Sequence, residues 1–107
     1  SALAFYQTSD RNKKSNIFSI NPFKLSDSEH ILFKQFTLNS DETETTKYGV
    51  IAQDIEYLFP ELVKTNDRNE KTVDYISLFA LKFSALEEKI KQLENKTTNL
   101  EFKLESK

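Results

Sequence analysis

Ser9 and Lys14, within TSDRNKKSNI at residues 8–17, are the side chains whose types and spacing could make and break a bond. A serine hydroxyl becomes a nucleophile when a neighbouring base takes its proton, and a neutral lysine amine can be that base. An unperturbed lysine ammonium, with a pKa near ~10.4, is not a base at neutral pH, so desolvation or crowding by other cations is required. Arg11 and Lys13 supply cations close by in sequence, whereas Asp10 opposes them. Five residues apart on a helix, the two side chains would lie roughly 140° around the axis and could not meet. They can meet across a bend, and Ser9-Asp10 is a turn-favouring pair. Spacing alone favours a solvated basic turn and leaves a serine–lysine dyad as the alternative.

Composition narrows what else the chain could do. Its 107 residues suffice for one domain but are few for a well-buried core, so help from partner chains is expected. A net charge of −2, from 15 basic and 17 acidic residues, provides no global cationic field for a phosphate backbone, and no nucleic acid partner is expected. With no cysteine and the single histidine His30, the chain cannot build a thiolate zinc site, a disulfide framework or a histidine cluster. His30 itself reads as a packed or surface residue. The lone glycine, Gly49, excludes the dinucleotide fingerprint and the P-loop, both of which need several glycines for close approach to phosphate. No cofactor or metal is expected. No apolar run approaches the ~20 residues that span a bilayer, and no charged leader precedes the first apolar run. The expectation is a soluble chain without membrane partners. Asn95-Lys96-Thr97 matches a glycosylation sequon and reads as a chance match.

The elements that must position Ser9 and Lys14 are short. ALAFY at residues 2–6 and NIFSI at 16–20 suit strands on either side of the basic stretch. Asn21-Pro22 marks a turn leading into a short helix over PFKLSDSEH, with Pro22 in its first turn. ILFKQFTL, residues 31–38, reads as a strand, and NSDETETTK as an exposed acidic loop. Tyr48 to Ala52 reads as a buried strand that passes into a short helix stopping before Pro60. KTNDRNEK separates two further apolar runs, as a hairpin connection does.

The last third carries the clearest pattern. With Ile90 at heptad position a, the a series is Ile76, Phe83, Ile90, Thr97 and Leu104, and the d series is Phe79, Leu86, Leu93 and Leu100. Thr97 is the one polar residue in this seam, which extends over about four heptads and reads as a coiled coil. Position g holds Lys82, Lys89, Lys96 and Lys103; position e holds Glu87, Glu94 and Glu101. Parallel neighbours then set Lys82 against Glu87, Lys89 against Glu94 and Lys96 against Glu101, whereas antiparallel identical helices would oppose like charges. Exposed pairs contribute only a few tenths of a kcal/mol each, so they select orientation while the apolar seam supplies stability. Ile at a with Leu at d leans to dimers and the large Phe79 and Phe83 to a wider core, which leaves the number of helices open. Asp74 is the expected N-cap, with Val73 and Leu78 as its hydrophobic staple.

Three blocks in order, SALAFYQTSDRNKKSNI, KYGVIAQDIEYLFPELV and KTVDYISLFALKFSALEEKIKQLE, make the chain resemble the endosialidase-type intramolecular chaperone domain. That domain is found at the C-terminus of phage tail spikes and tail fibres and in the membrane-anchored myelin regulatory factor. The specific pieces are Ser-Asp with a lysine five after the serine and Asn-Ile beyond it, GVIAQ running into FPELV, and the VDY entry to a long helix. The resemblance implies a parallel homotrimer that guides folding of a tail-fibre-like passenger joined upstream in the same chain. It then implies self-release, by attack of the serine on the peptide bond before it. Carried over, Ser9 is the nucleophile, Lys14 the base, and Thr8–Ser9 the bond that is cut. The implied setting is the precursor of a virion tail fibre made in the host cytoplasm.

Relatives carry arginine three after the serine, where this chain has Asn12, with Arg11 one place early. Asn12 favours the alternative of a non-cleaving trimerisation module that stays attached. A nucleic-acid-binding turn built on Arg11, Lys13 and Lys14 ranks third. The expected fold is α+β over a single domain, residues 1–107. A small mixed β head spans 1–74, and a C-terminal helix over 75–107 forms a parallel trimeric coiled coil. The blocks Gly49 to Gln53 and Phe59 to Val63 are expected to be core and trimer contacts.

Overall fold

The computed structural model describes residues 6–106, so the strand expected over residues 2–6 lies almost wholly outside the described residues. NIFSI forms no strand: residues 16–20 are exposed irregular backbone, and Asn16 turns into the left-handed region at φ 54°. Among the described residues nothing pairs beside this stretch, and an isolated strand has no ladder to hold it.

Helix α1, Pro22–Ser28, starts where the sequence puts it. The Asn21 side chain accepts the Phe23 N–H at 2.8 Å, and Pro22 occupies the first turn, where no N–H is needed. Two antiparallel hairpins follow. The first pairs β1, Lys34–Phe36, with β2, Lys47–Gly49, setting Lys34 opposite Gly49. Its loop is tied by Asp41, whose carboxylate accepts the Thr43 hydroxyl and the N–H groups of Thr43 and Thr45. Those bonds, the Thr43 hydroxyl foremost, hold the Asp41 carboxyl below its ordinary pKa.

Only three residues of ILFKQFTL pair, because Ile31 turns into the core instead of joining the ladder. Ala52, expected at the end of a strand, opens helix α2, Ala52–Leu58. Pro60 lacks an N–H and disfavours helical backbone before it, so α2 ends at Phe59, and a single 3₁₀ turn, Pro60–Leu62, leads into the second hairpin. There β3, Val63–Thr65, pairs antiparallel with β4, Lys71–Val73. The head is therefore α+β, but among the described residues its strands form two separate antiparallel pairs and not one mixed sheet.

Ile31, Val50, Ile55, Phe59, Leu62 and Leu78 form the buried cluster, with Leu58, Val63, Val73 and Leu81 packed against it. Burying each such side chain stabilises the fold by about 1.5–3 kcal/mol, which makes this cluster the main support of a small head. Lys24 bridges to Glu61 at 3.0 Å and lies over the Phe59 ring, and Lys71 bridges to Glu56 at 3.1 Å. Val50 belongs to the Gly49 to Gln53 block, and Phe59 and Leu62 to the Phe59 to Val63 block, so both blocks supply core residues.

Helix α3, Tyr75–Glu105, has 31 residues and runs about 46 Å. Asp74 caps it, accepting the Ser77 N–H at 3.1 Å and the Ser77 hydroxyl at 2.8 Å. The helix divides its surface. Leu78, Leu81, Lys82 and Ala85, at helical spacing, face the head and are wholly or partly buried. The apolar residues of the a and d series lie on another face and remain 39–69 % exposed. A helix packed on its own domain therefore needs only its first three turns for that purpose, and most of the heptad seam is left exposed.

Lys82 departs from its expected place. Its ammonium turns toward α1 and donates to the carbonyls of Ile31 at 2.9 Å, Ser28 at 3.2 Å and Glu29 at 3.4 Å. These carbonyls lie at and just beyond the end of α1, where the helix offers few further N–H donors, although the Ser28 carbonyl also accepts the Ile31 N–H at 3.2 Å, so a cation there is favoured. Lys82 is thus engaged within its own chain.

Candidate active site

Ser9 and Lys14 meet. The Lys14 ammonium donates to Ser9 Oγ at 2.8 Å. The bend that joins them is a single 3₁₀ turn, Arg11–Lys13, whose backbone closes through Lys13 N–H to the Asp10 carbonyl at 3.0 Å and Lys14 N–H to the Arg11 carbonyl at 3.1 Å. Asp10 caps this turn, its carboxylate accepting the Asn12 N–H at 2.9 Å. Asp10 and Lys14 both have extended backbone on either side of it. The chain consequently reverses, and the Lys14 side chain reaches back across the turn to the residue before the cap. That is the bend the spacing required, made by a capped 3₁₀ turn and not by the end of a strand.

The capping role of Asp10 changes the electrostatics expected of this stretch. Its carboxylate serves the turn and forms no ion pair with Lys14, Lys13 or Arg11 among the described residues. Two further cations therefore share a short loop with Lys14. Asn12 contributes its backbone N–H to the turn, and its exposed side chain makes no hydrogen bond among the described residues. Residues 6 to 23 are all exposed, and among the described residues the site is assembled by local hydrogen bonds with no apolar wall around the lysine.

Chemically, the pair can pass one proton along a 2.8 Å line. With lysine charged, the ammonium donates, as seen. With lysine neutral, the hydroxyl donates to the amine, and Ser9 Oγ gains nucleophilic character. The scissile candidate is covalently adjacent, since Thr8 supplies the carbonyl directly before Ser9.

Two hydrogen-bonded features were not anticipated from the sequence, one at the site and one in the head. The Asp10 cap was visible in principle, because an aspartate directly before RNK is a cap signal for a turn. The second, the Tyr75 hydroxyl accepting the Val50 N–H at 3.2 Å, has no local signal, since 25 residues separate the partners. His30 is exposed, and among the described residues no group of three or more His, Asp or Glu side chains could hold a metal ion. No helix among the described residues is long and apolar enough to cross a membrane.

Comparison with curated proteins returns no match. A protein-family model described as chaperone of endosialidase matches residues 9–64, beginning on Ser9 and ending inside β3. The match spans more than half of the chain and takes in the Ser9–Lys14 turn, both halves of the first hairpin, α2 and the core residues from Ile31 to Leu62. On that match, the chain belongs to the chaperone of endosialidase family.

Proposed function

We propose that this domain assembles as a parallel homotrimer through α3, assists folding of a fibrous trimeric passenger joined upstream, and then releases itself by cleavage between Thr8 and Ser9. The observation that carries the cleavage is the 2.8 Å contact between Lys14 Nζ and Ser9 Oγ, held by a capped turn at the start of the family match. The support for assembly is the apolar seam of α3, which stays exposed although the same helix buries a different face on its head. Lys89 with Glu94 and Lys96 with Glu101 favour the parallel arrangement.

In the proposed reaction Ser9 Oγ gives its proton to the neutral Lys14 amine and bonds to the Thr8 carbonyl carbon. The Thr8–Ser9 carbon–nitrogen bond then breaks, and the lysine returns the proton to the leaving nitrogen. An ester between the Thr8 acyl group and Ser9 Oγ results, and water hydrolyses it to a Thr8 carboxylate and a free Ser9 hydroxyl and amine. Because the loop is exposed in one chain, assembly that covers it would dry the lysine and favour its neutral form. Cleavage would then follow assembly and make it hard to reverse.

The second reading is a clamp that stays attached, favoured by Asn12 at the position where relatives carry arginine. One experiment separates the two. The full chain is expressed behind a trimeric passenger and the products are weighed. The cleaving domain yields a fragment beginning at Ser9 in the wild type and an intact, still trimeric Ser9→Ala variant. Intact, uncut chains for both would leave only the clamp.

A further inference from the structure

At the level of the head, the exposed seam of α3 is not purely helical. Phe79 stacks on Phe83, ring centroids 6.0 Å apart, and meets Tyr75 at 5.7 Å. On its other side Phe79 stacks on Phe33, at 6.1 Å and an interplanar angle of 26°. Phe33 belongs to the turn between α1 and β1, so the head places a ring of its own on the heptad seam. The stack is far from buried: Phe33 is 44 % exposed and Phe83 60 %. Large aromatic groups half open to water and joined into one strip mark a surface that another body covers.

A second, independent observation concerns charge at the same level. Lys82, the first cation of the g series, is held by the Ser28, Glu29 and Ile31 carbonyls. The interchain charge ladder therefore begins only at Lys89, and the head-level heptad has no g cation with which to select a neighbour. Recognition there falls to the rings.

We infer that Phe33 is an interface residue supplied by the head: in the assembly, a second copy of this chain packs its own Phe79–Phe83 seam against the Phe33–Phe79–Phe83 stack. This rests on the parallel assembly proposed above. The occupant is a second copy because the stack is continuous with the a and d positions of α3 and lies just above complementary Lys89–Glu94 and Lys96–Glu101 flanks. The added ring also widens the seam at its head end. A wide aromatic layer leaves a hole between two helices and is filled by three.

The test uses the full chain with Phe33 replaced by p-benzoylphenylalanine, irradiated after assembly, with the same group at Tyr57, 89 % exposed on α2, as control. Native mass spectrometry of the wild type is run alongside. The expected result is a trimeric wild type, covalent chain-to-chain products from position 33, and few from position 57. Phe33→Ala is expected to raise the midpoint concentration of assembly by about tenfold or more. A trimeric wild type with only intrachain products from position 33, or equal interchain yields from both positions, would overturn the inference and leave the assembly standing. A monomeric wild type would remove the assembly itself.

Discussion

The Lys82 ammonium lies 2.9 Å from the carbonyl oxygen of Ile31, across a sequence gap of 51 residues. With the Ser28 and Glu29 carbonyls it forms a clamp that fixes the end of α1 on the first turns of α3. The Ser28 hydroxyl adds to this junction, donating to the Leu25 carbonyl at 2.8 Å and the Leu81 carbonyl at 3.3 Å.

Removing that clamp should weaken the head. Lys82→Met is expected to lower the unfolding free energy by about 1–3 kcal/mol, because three carbonyls lose a charged donor. Glu87→Gln should change stability by less than about 0.5 kcal/mol. Denaturant melts of the two variants and their combination form the check. A coupling clearly above zero between Lys82 and Glu87 would restore the interchain pair.

Gly49 is required by its neighbour. A Cβ at this position would sit 2.5 Å from the Tyr75 hydroxyl and 3.3 Å from the Phe36 ring. Because that hydroxyl accepts the Val50 N–H, it cannot swing away freely. Gly49→Ala should destabilise by about 1–3 kcal/mol. Adding Tyr75→Phe should recover part of the loss, so thermal melts of the double variant should show less than the sum of the singles.

The start of α3 should loosen in acid. Hydrogen bonds from the Ser77 hydroxyl and backbone hold the Asp74 carboxyl below its ordinary pKa of 3.8. A carboxylate whose pKa is lower in the folded chain contributes stability that is present above the ordinary value and is lost as pH falls through the folded one. Circular dichroism of the wild type should show helix loss setting in below about pH 4. Asp74→Asn, which keeps an acceptor without titrating, should flatten that dependence.

Cleavage should depend on the amine of Lys14 more than on its charge. Lys14→Met and Lys14→Arg are both expected to slow release by about a hundredfold to ten-thousandfold, since neither supplies a base. Asn12→Arg should quicken release: the turn uses only the backbone of Asn12, so the change leaves the 2.8 Å contact in place. Time courses on denaturing gels with the passenger attached measure both. Wild-type rates in Lys14→Met would assign the base elsewhere.

Features set by neighbours in the chain could be read from sequence. Asn21-Pro22 opens α1, Pro60 closes α2, Asn66 to Glu70 within KTNDRNEK join β3 to β4, whose ends the same stretch supplies, and Asp74 caps α3, because each depends on backbone donors and dihedrals within a few residues. The heptad seam was legible for the same reason, being a periodicity along one helix. Tertiary structure alone decided three matters. Ser9 and Lys14 could meet only if a bend formed, and the Asp10-capped turn is what brings them together. Lys82 reaches the end of α1 because the fold brings the carbonyls of Ser28, Glu29 and Ile31 beside α3 from a distant part of the chain. Phe33 came to rest on Phe79 because the short β1–β2 hairpin leaves the residues before it free to fold onto α3. The last two depend on contacts between residues far apart in sequence, whose energies local pattern does not encode, and the first on which local turn the chain adopts, which the spacing of Ser9 and Lys14 left open.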